Sequence, residues 1–171
     1  FDKFFYAAIL MWAYILIKKI PFKPDREAAP MLIIICISYI GIATTLYLSF
    51  DYISGSLATI ISFTFPAMII AIEMITGMEP VRFVKITAVI LSMLGLVLIV
   101  WTPDIRANLT GIFFAFLTAV CYVVYIMGLS SKKIKKLNSI TVAGYVLLSS
   151  AVFNMIRCEL SGNPMFTRGT E

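Results

Sequence analysis

The sequence predicts an all-α polytopic membrane protein with about six transmembrane helices, and three observations lead to this fold class. The composition is 61% hydrophobic and 13% charged with a mean hydropathy of +0.98, whereas soluble domains contain roughly 25% charged residues. Long uncharged runs recur along the chain, and most of them are long enough to cross a bilayer as a helix. The charged residues lie mainly between these runs, where a membrane protein has its connections.

The apolar runs, taken in chain order, define the predicted helices. The first, at 4–17, is short for a complete span. The next five have about eighteen to twenty-five residues each, which suits a helix crossing a hydrocarbon core of ~30 Å. These five are 31–50, 52–77, 83–101, 111–129 and 137–156. In lipid such runs must be helical, because an open strand would leave backbone groups without hydrogen bonds.

The charged connections predict how the helices are oriented. Of the 14 lysines and arginines, all but four lie in or beside the loops 18–30, 78–82 and 130–136, which alternate with the other connections. The positive-inside rule therefore places these three loops in the cytoplasm. The expected location is the cytoplasmic (inner) membrane of a bacterium. The four remaining basic residues are Lys3, Arg106, Arg157 and Arg168.

Several functional classes are disfavoured by residue content. The chain has no histidine, so it lacks the usual general base of serine and cysteine hydrolases and the commonest metal ligand. Cys36, Cys121 and Cys158 are widely spaced, which is typical of small buried hydrophobic residues rather than of a metal or redox site. We expect no cofactor, no metal and, despite the net charge of +5, no nucleic-acid partner, because the basic residues follow the membrane pattern.

The run 52–77 is the most informative part of the sequence. Pro66 near its middle removes a backbone donor and is expected to bend the helix. Glu73 is a carboxylate within a span, and such groups usually face protein or water. A cavity-facing Glu73 would carry a coupling proton or pair with a cationic group of the substrate. The alternative is a side chain that reaches the cytoplasmic headgroups. At ~100° per residue, six residues of this span are predicted to lie within about 40° of one line along the helix: Gly55, Thr59, Ser62, Pro66, Glu73 and Gly77.

Other helix faces carry small, hydroxyl and tyrosine side chains at helical spacing. A cavity lining is one interpretation, since tyrosines can stack on a substrate, and tight helix packing or an interfacial position is the alternative. The residues predicted to line a substrate cavity are Thr45, Ser62, Pro66, Glu73, Tyr122 and Tyr125. The residues predicted to serve helix packing are Gly55, Ala88, Ser92, Gly95, Gly111 and Ala115.

The order of several short motifs resembles the drug/metabolite transporter superfamily, in particular its EamA-like family. The resemblance rests on 49–58, Phe65-Pro66, the Gly77-Met78-Glu79 segment and Gly95, and it extends to 111–125 as the start of a second repeat. Asp51 stands where the family often has a basic residue, and Ala88 replaces a common glycine. Glu73 is not a family-wide feature, so no role for it follows from the resemblance.

The resemblance implies an architecture of ten helices in two five-helix halves of inverted topology. The chain then corresponds to the second through seventh helices. Residues 1–105 would be most of the first EamA-like repeat, lacking its first helix, and 106–171 a truncated start of the second.

The resemblance also implies a function. It predicts a secondary transporter, an exporter or permease of small metabolites such as amino acids or drug-like compounds, working by alternating access, and not an enzyme. The expected partners are the lipid bilayer, a small-molecule substrate and a proton or other coupling ion; the oligomeric state is left open. The alternatives are a non-transporting scaffold or accessory subunit and an intramembrane enzyme. The enzyme is disfavoured by the missing histidine and the lack of paired intramembrane aspartates.

Overall fold

The computed structural model describes residues 10–15, 17–18, 26–77, 83–100 and 108–160, apart from the side chains at 99–100 and 157–160. These residues form helices joined by turns, with no strand among them, which confirms the all-α fold class. A short helical segment lies at 10–15. The longer helices are α1 (Ala29–Phe50), α2 (Gly55–Ser62), α3 (Phe65–Thr76), α4 (Phe83–Val100), α5 (Leu109–Ser130) and α6 (Ser139–Leu160).

Four stretches of the described residues are long and apolar enough to cross a membrane. They are Ala29–Phe50, Gly55–Thr76, Leu109–Ser130 and Ser139–Ile156. The stretch Phe83–Leu98 is apolar but shorter. The predicted polytopic membrane protein is thus confirmed, and the helix ends differ from the predicted ones by only a few residues. Half of the first predicted run, 4–9 and 16, and all of the loop 78–82 lie outside the described residues.

The span predicted as one bent helix consists of two helices. α2 ends at Ser62, and the turn Phe63–Thr64 separates it from α3. Pro66 explains the break, because its nitrogen carries no proton for the carbonyl oxygen of Ser62 four residues earlier. Proline is well suited to the first turn of the new helix, where it stands. The predicted single line from Gly55 to Gly77 assumes one continuous helix, so it stays a prediction across the turn at Phe63–Thr64.

The ends of the broken span carry recognisable capping groups. Ser54 adopts an extended conformation before α2, and its hydroxyl accepts a hydrogen bond from the backbone N–H of Leu57 at 3.3 Å. This contact satisfies one of the free N–H groups of the first turn. At the other end, Gly77 follows α3 with a φ of 62°, a left-handed conformation that glycine adopts without steric cost.

The chain divides into two compact units. The first comprises Phe1–Ile40 and Gly128–Glu171, and the second is Gly41–Met127. In the first unit, the indole N–H of Trp12 donates to the carbonyl oxygen of Gly144 at 3.3 Å, and its ring meets Tyr145 edge-on. These contacts join the N-terminal helical segment to α6. The division into repeats at 1–105 and 106–171 stays a prediction.

The second unit contains the end of α1, the broken span, α4 and most of α5. Both α2 and α3 pack against α4. The core where α2 meets α5 consists of Ile53, Ala58 and Ala115, with Leu46, Leu57 and Ile61 around it. Because alanines leave little side chain between the helices, the α2 and α5 backbones come close together beside the break.

Candidate functional site at the broken membrane helix

A pair of buried threonine hydroxyls joins α1 to α5. The Oγ1 atoms of Thr45 and Thr118 lie 2.8 Å apart. Thr45 is also 2.8 Å from the carbonyl oxygen of Gly41, and Thr118 is 3.0 Å from that of Phe114. Each hydroxyl has one proton, so one threonine donates to the other, which in turn donates to its own helix. Both hydroxyls are thereby satisfied in an apolar interior.

Ser62 places a second buried hydroxyl at the last residue of α2. The side chain is 3% exposed, and its hydroxyl donates to the carbonyl oxygen of Ala58 at 2.8 Å. The carbonyl oxygen of Ala115 on α5 lies 3.4 Å away. The carbonyl group of Ser62 itself has no α-helical N–H donor, because Pro66 occupies the position that would supply it. The end of α2 therefore offers polar atoms inside the membrane span.

Aromatic rings lie on the other side of the break. The rings of Phe65 and Tyr122 stack with centroids 4.8 Å apart and planes inclined by 19°. Phe63, in the turn itself, lies 5.9 Å from the ring of Phe65. Phe65 is not among the predicted site residues, because the Phe65-Pro66 motif indicates the family and not the partner of the ring. Tyr125 is half-buried three residues further along α5.

One face of α5 contacts α1 and both halves of the broken span. Ala115, Thr118 and Tyr122 follow each other at intervals of three and four residues, so they share one side of the helix. They meet Ser62, Thr45 and Phe65, respectively. Four predicted cavity residues, Thr45, Ser62, Pro66 and Tyr122, thus lie at or next to this face. Their role in binding a substrate stays a prediction.

Glu73 lies apart from this group and has a partner that the sequence analysis did not assign. It is seven residues beyond Pro66, about 10 Å along the axis of α3. Its Oε2 atom is 2.5 Å from Nζ of Lys85 on α4, and the side chains are 16% and 41% exposed, respectively. In the sequence, Lys85 stands beside the loop 78–82 as one of the basic residues that predict a cytoplasmic location. The two residues stand at similar distances from the loop between α3 and α4, a spacing that favours contact in a helical hairpin.

The residues predicted to serve packing fall into two groups. Gly111 is buried, and a Cβ atom there would lie 2.7 Å from Cγ2 of Ile53, whereas Ala115 belongs to the core already described. Gly55 would meet Phe50 only at an ordinary 3.9 Å. On α4, Ala88 and Ser92 are exposed, and no atom lies within 4 Å of a Cβ placed on Gly95. No packing contact supports these α4 residues among the described residues, so their packing role stays a prediction.

The described residues offer no metal ligand set. No group of three or more histidine, cysteine or acidic side chains comes together in the described ranges. Cys36 and Cys121 are free thiols in α1 and α5. The chemistry available at the break is therefore hydrogen bonding by hydroxyl and carbonyl groups together with ring stacking.

Comparison with known families decides what kind of protein carries this arrangement. The family model of the EamA-like transporter family matches residues 1–101, more than half of the 171 residues. The chain belongs to the EamA-like transporter family. No curated protein and no solved structure matches it. The resemblance seen in the sequence is thus confirmed. This family consists of transporters rather than enzymes, and the EamA-like chain is an integral membrane protein.

Proposed function

We propose that this EamA-like protein is a secondary transporter, an exporter or permease that moves small metabolites such as amino acids or drug-like compounds by alternating access. The observation that carries the proposal is the break of a membrane span at Phe63–Thr64, next to buried hydroxyl groups. Broken helices in transporters supply backbone groups for substrate or ion binding near the middle of the membrane. A passive anchor has no need of such a break.

The groups at the break suit a small molecule with both polar and apolar parts. The carbonyl group of Ser62 and the hydroxyls of Ser62 and Thr45 supply hydrogen bonds, whereas Phe63 and Tyr122 supply ring faces. The turn can also absorb a change of backbone angles with little loss of regular structure, as hinge residues do. In this proposal the α5 face is the fixed wall of the site and the broken span is the moving part.

The Glu73–Lys85 ion pair is the proposed coupling element. Lys85 neutralises the carboxylate when no other cation is present. A proton or a cationic group of the substrate that binds Glu73 would release Lys85 and loosen the contact between α3 and α4. Binding of the proton, or of another coupling ion, would thereby be linked to movement of α3, the helix that begins at the break.

Cysteine accessibility tests alternating access without knowledge of the substrate. The experiment uses the full-length protein with Cys36, Cys121 and Cys158 replaced by serine and with Phe63→Cys added; the Phe63 side chain is 46% exposed. A membrane-impermeant maleimide is applied to right-side-out and to inside-out vesicles. We expect labelling from both sides, because the turn would face each side in turn.

Two matched variants control this experiment. Ala58→Cys, at a fully buried position, is expected to react from neither side. Lys133→Cys, in the loop 130–136, is expected to react from one side only, which we propose is the cytoplasm. Labelling of Phe63→Cys from one side alone, or from neither, would contradict alternating access. Labelling from neither side would favour a solid helix interface and hence the scaffold function.

A further inference from the structure

The connection between α5 and α6 is a short turn with its own internal hydrogen bonds. The backbone N–H groups of Ile134 and Lys135 donate to the carbonyl oxygen of Ser131 at 3.1 and 3.0 Å. The N–H of Leu137 donates to the carbonyl oxygen of Ile134 at 2.9 Å. The hydroxyl of Ser131 also lies 3.4 Å from the N–H of Ile134. The turn therefore has a defined backbone path rather than that of a flexible tether.

Ile134 holds this turn against the protein. Its side chain is only 4% exposed, although the residues before and after it are exposed lysines. Burying one apolar side chain in the centre of the turn directs the flanking side chains outward. The residues so placed, which we call the lysine turn, are Lys132, Lys133, Lys135 and Lys136.

Among the described residues, the four charges of the lysine turn have no carboxylate in an ion pair with them. Between Asp104 and Glu159 the sequence contains no acidic residue. In the described part of the chain, none of the four ammonium groups forms an ion pair. Like charges held this close repel one another, so an anion that binds among them relieves the repulsion.

The position of the lysine turn indicates which anion it meets. It begins two residues after Ser130, the last residue of the α5 span, and ends three residues before Ser139, where the α6 span begins. The ammonium groups therefore extend at the level of the lipid headgroups, where phosphates are present at high local concentration. Each lysine near an anionic membrane surface contributes about fivefold in association.

We propose that the lysine turn is a binding site for the phosphate groups of anionic phospholipids, with Ile134 as its anchor. The proposal is independent of substrate transport. It predicts that the ends of α5 and α6 at this surface are held by bound lipid.

Lipid titration of the purified full-length protein in neutral detergent tests this site. Dioleoyl phosphatidylglycerol is titrated and the retained lipid is counted by native mass spectrometry, with dioleoyl phosphatidylcholine as the neutral lipid. We expect the wild type to bind the anionic lipid at least about tenfold more tightly. The quadruple variant K132Q/K133Q/K135Q/K136Q should lose about tenfold or more of that affinity, without change toward phosphatidylcholine.

A second quadruple variant separates the site from net charge. Replacing Lys18, Lys19, Lys23 and Arg26 by glutamine removes the same number of charges from another loop, and we expect less than about threefold loss. The four-arginine variant of the lysine turn should retain the affinity, because the charge is kept.

Equal losses in the two glutamine variants would overturn the proposal, since binding would then follow net charge alone. Displacement of the lipid by 10 mM inorganic phosphate would also overturn it, because the ligand would then be free phosphate.

Discussion

The broken span and α5 are two membrane helices of the same length with different structures. Gly55–Thr76 and Leu109–Ser130 both contain 22 residues and both are apolar enough to cross a bilayer. α5 is continuous, whereas the other span is divided into helices of 8 and 12 residues. Two spans of equal length and similar hydropathy therefore differ in regularity, because local backbone chemistry decides whether such a segment stays one helix.

The two spans also contribute differently to the site. α5 presents Ala115, Thr118 and Tyr122 on one side and contacts three neighbouring elements with them. The broken span presents its ends, with the carbonyl group of Ser62, which Pro66 deprives of its α-helical N–H donor, and the ring of Phe65. A continuous helix such as α5 beside a discontinuous one is the arrangement in which part of a transporter can move against a fixed part.

Introducing a proline into the continuous helix α5 should have the largest effect on stability. Ala119→Pro places proline in the middle of α5 at a fully buried position, where it removes a hydrogen bond and clashes with the preceding turn. We expect a loss of about 3 kcal/mol or more in the free energy of unfolding. Unfolding of the purified protein in mixed micelles, followed by circular dichroism, measures this loss.

The control is Pro66→Ala, which removes the proline from the broken span. The alanine N–H can donate to the carbonyl oxygen of Ser62, which stabilises the fold, whereas the loss of the rigid proline ring destabilises it. Because the two effects oppose each other, we expect the free energy of unfolding to stay within about 1 kcal/mol of the wild type. The turnover of the full-length transporter should nevertheless fall by about tenfold, because the hinge is replaced by a helix. Unchanged turnover in Pro66→Ala would show that the break is incidental to transport, and a destabilisation as large as that of Ala119→Pro would show that Pro66 is needed for folding.

A larger side chain where α5 approaches the turn before α2 should have the next largest effect on the free energy of unfolding. At Gly111 a Cβ atom would lie 2.7 Å from Cγ2 of Ile53 and 2.8 Å from Cβ of Tyr52. Gly111→Leu is expected to cost about 1–3 kcal/mol, because the backbone must move to admit the side chain. The same unfolding assay applies.

Gly95→Leu is the matched control on α4. No atom lies within 4 Å of a Cβ at this position, so we expect a change of less than about 0.5 kcal/mol. A loss at Gly95 as large as that at Gly111 would mean that α4 packs against a segment beyond the described residues, as the spacing of Ala88, Ser92 and Gly95 predicts. A tolerated leucine at Gly111 would contradict the close approach.

The ion pair on the far half of the broken span should have a smaller effect. A double-mutant cycle of Glu73→Gln and Lys85→Gln is expected to give a coupling of about 0.5–1 kcal/mol, because solvent screens the 41% exposed lysine side chain. Transport by full-length Glu73→Gln should lose its pH dependence if the carboxylate carries the coupling proton. An unchanged rate and pH dependence, with the coupling energy intact, would leave the pair only as an anchor between α3 and α4.

Particular residues show how much of this structure was predictable. The helices follow from apolar runs, because a bilayer admits few other structures, and Pro66 marked the irregular span. The sequence predicts the break only as a bend, because proline permits either outcome and the contacts of Ser62 and Phe65 with α5 are not visible in one sequence. The partners of Thr45 and Glu73 were not predictable from one sequence, because Thr118 and Lys85 become their neighbours only through the pairing of helices.

The threonine pair between α1 and α5 should give the smallest effect. In a cycle of Thr45→Val and Thr118→Val, the coupling is expected to be about 0.6 kcal/mol, as for most hydrogen bonds between membrane helices. The value is small because a threonine that loses its partner can still donate to its own helix, at Gly41 or Phe114. Ser49→Ala serves as the control, since this buried hydroxyl donates to Leu46 within α1 and should not couple to Thr118. A coupling of zero for the threonines would mean that α1 and α5 are joined by apolar contacts alone, and the polar lining proposed beside the break would lose one of its two hydroxyl positions.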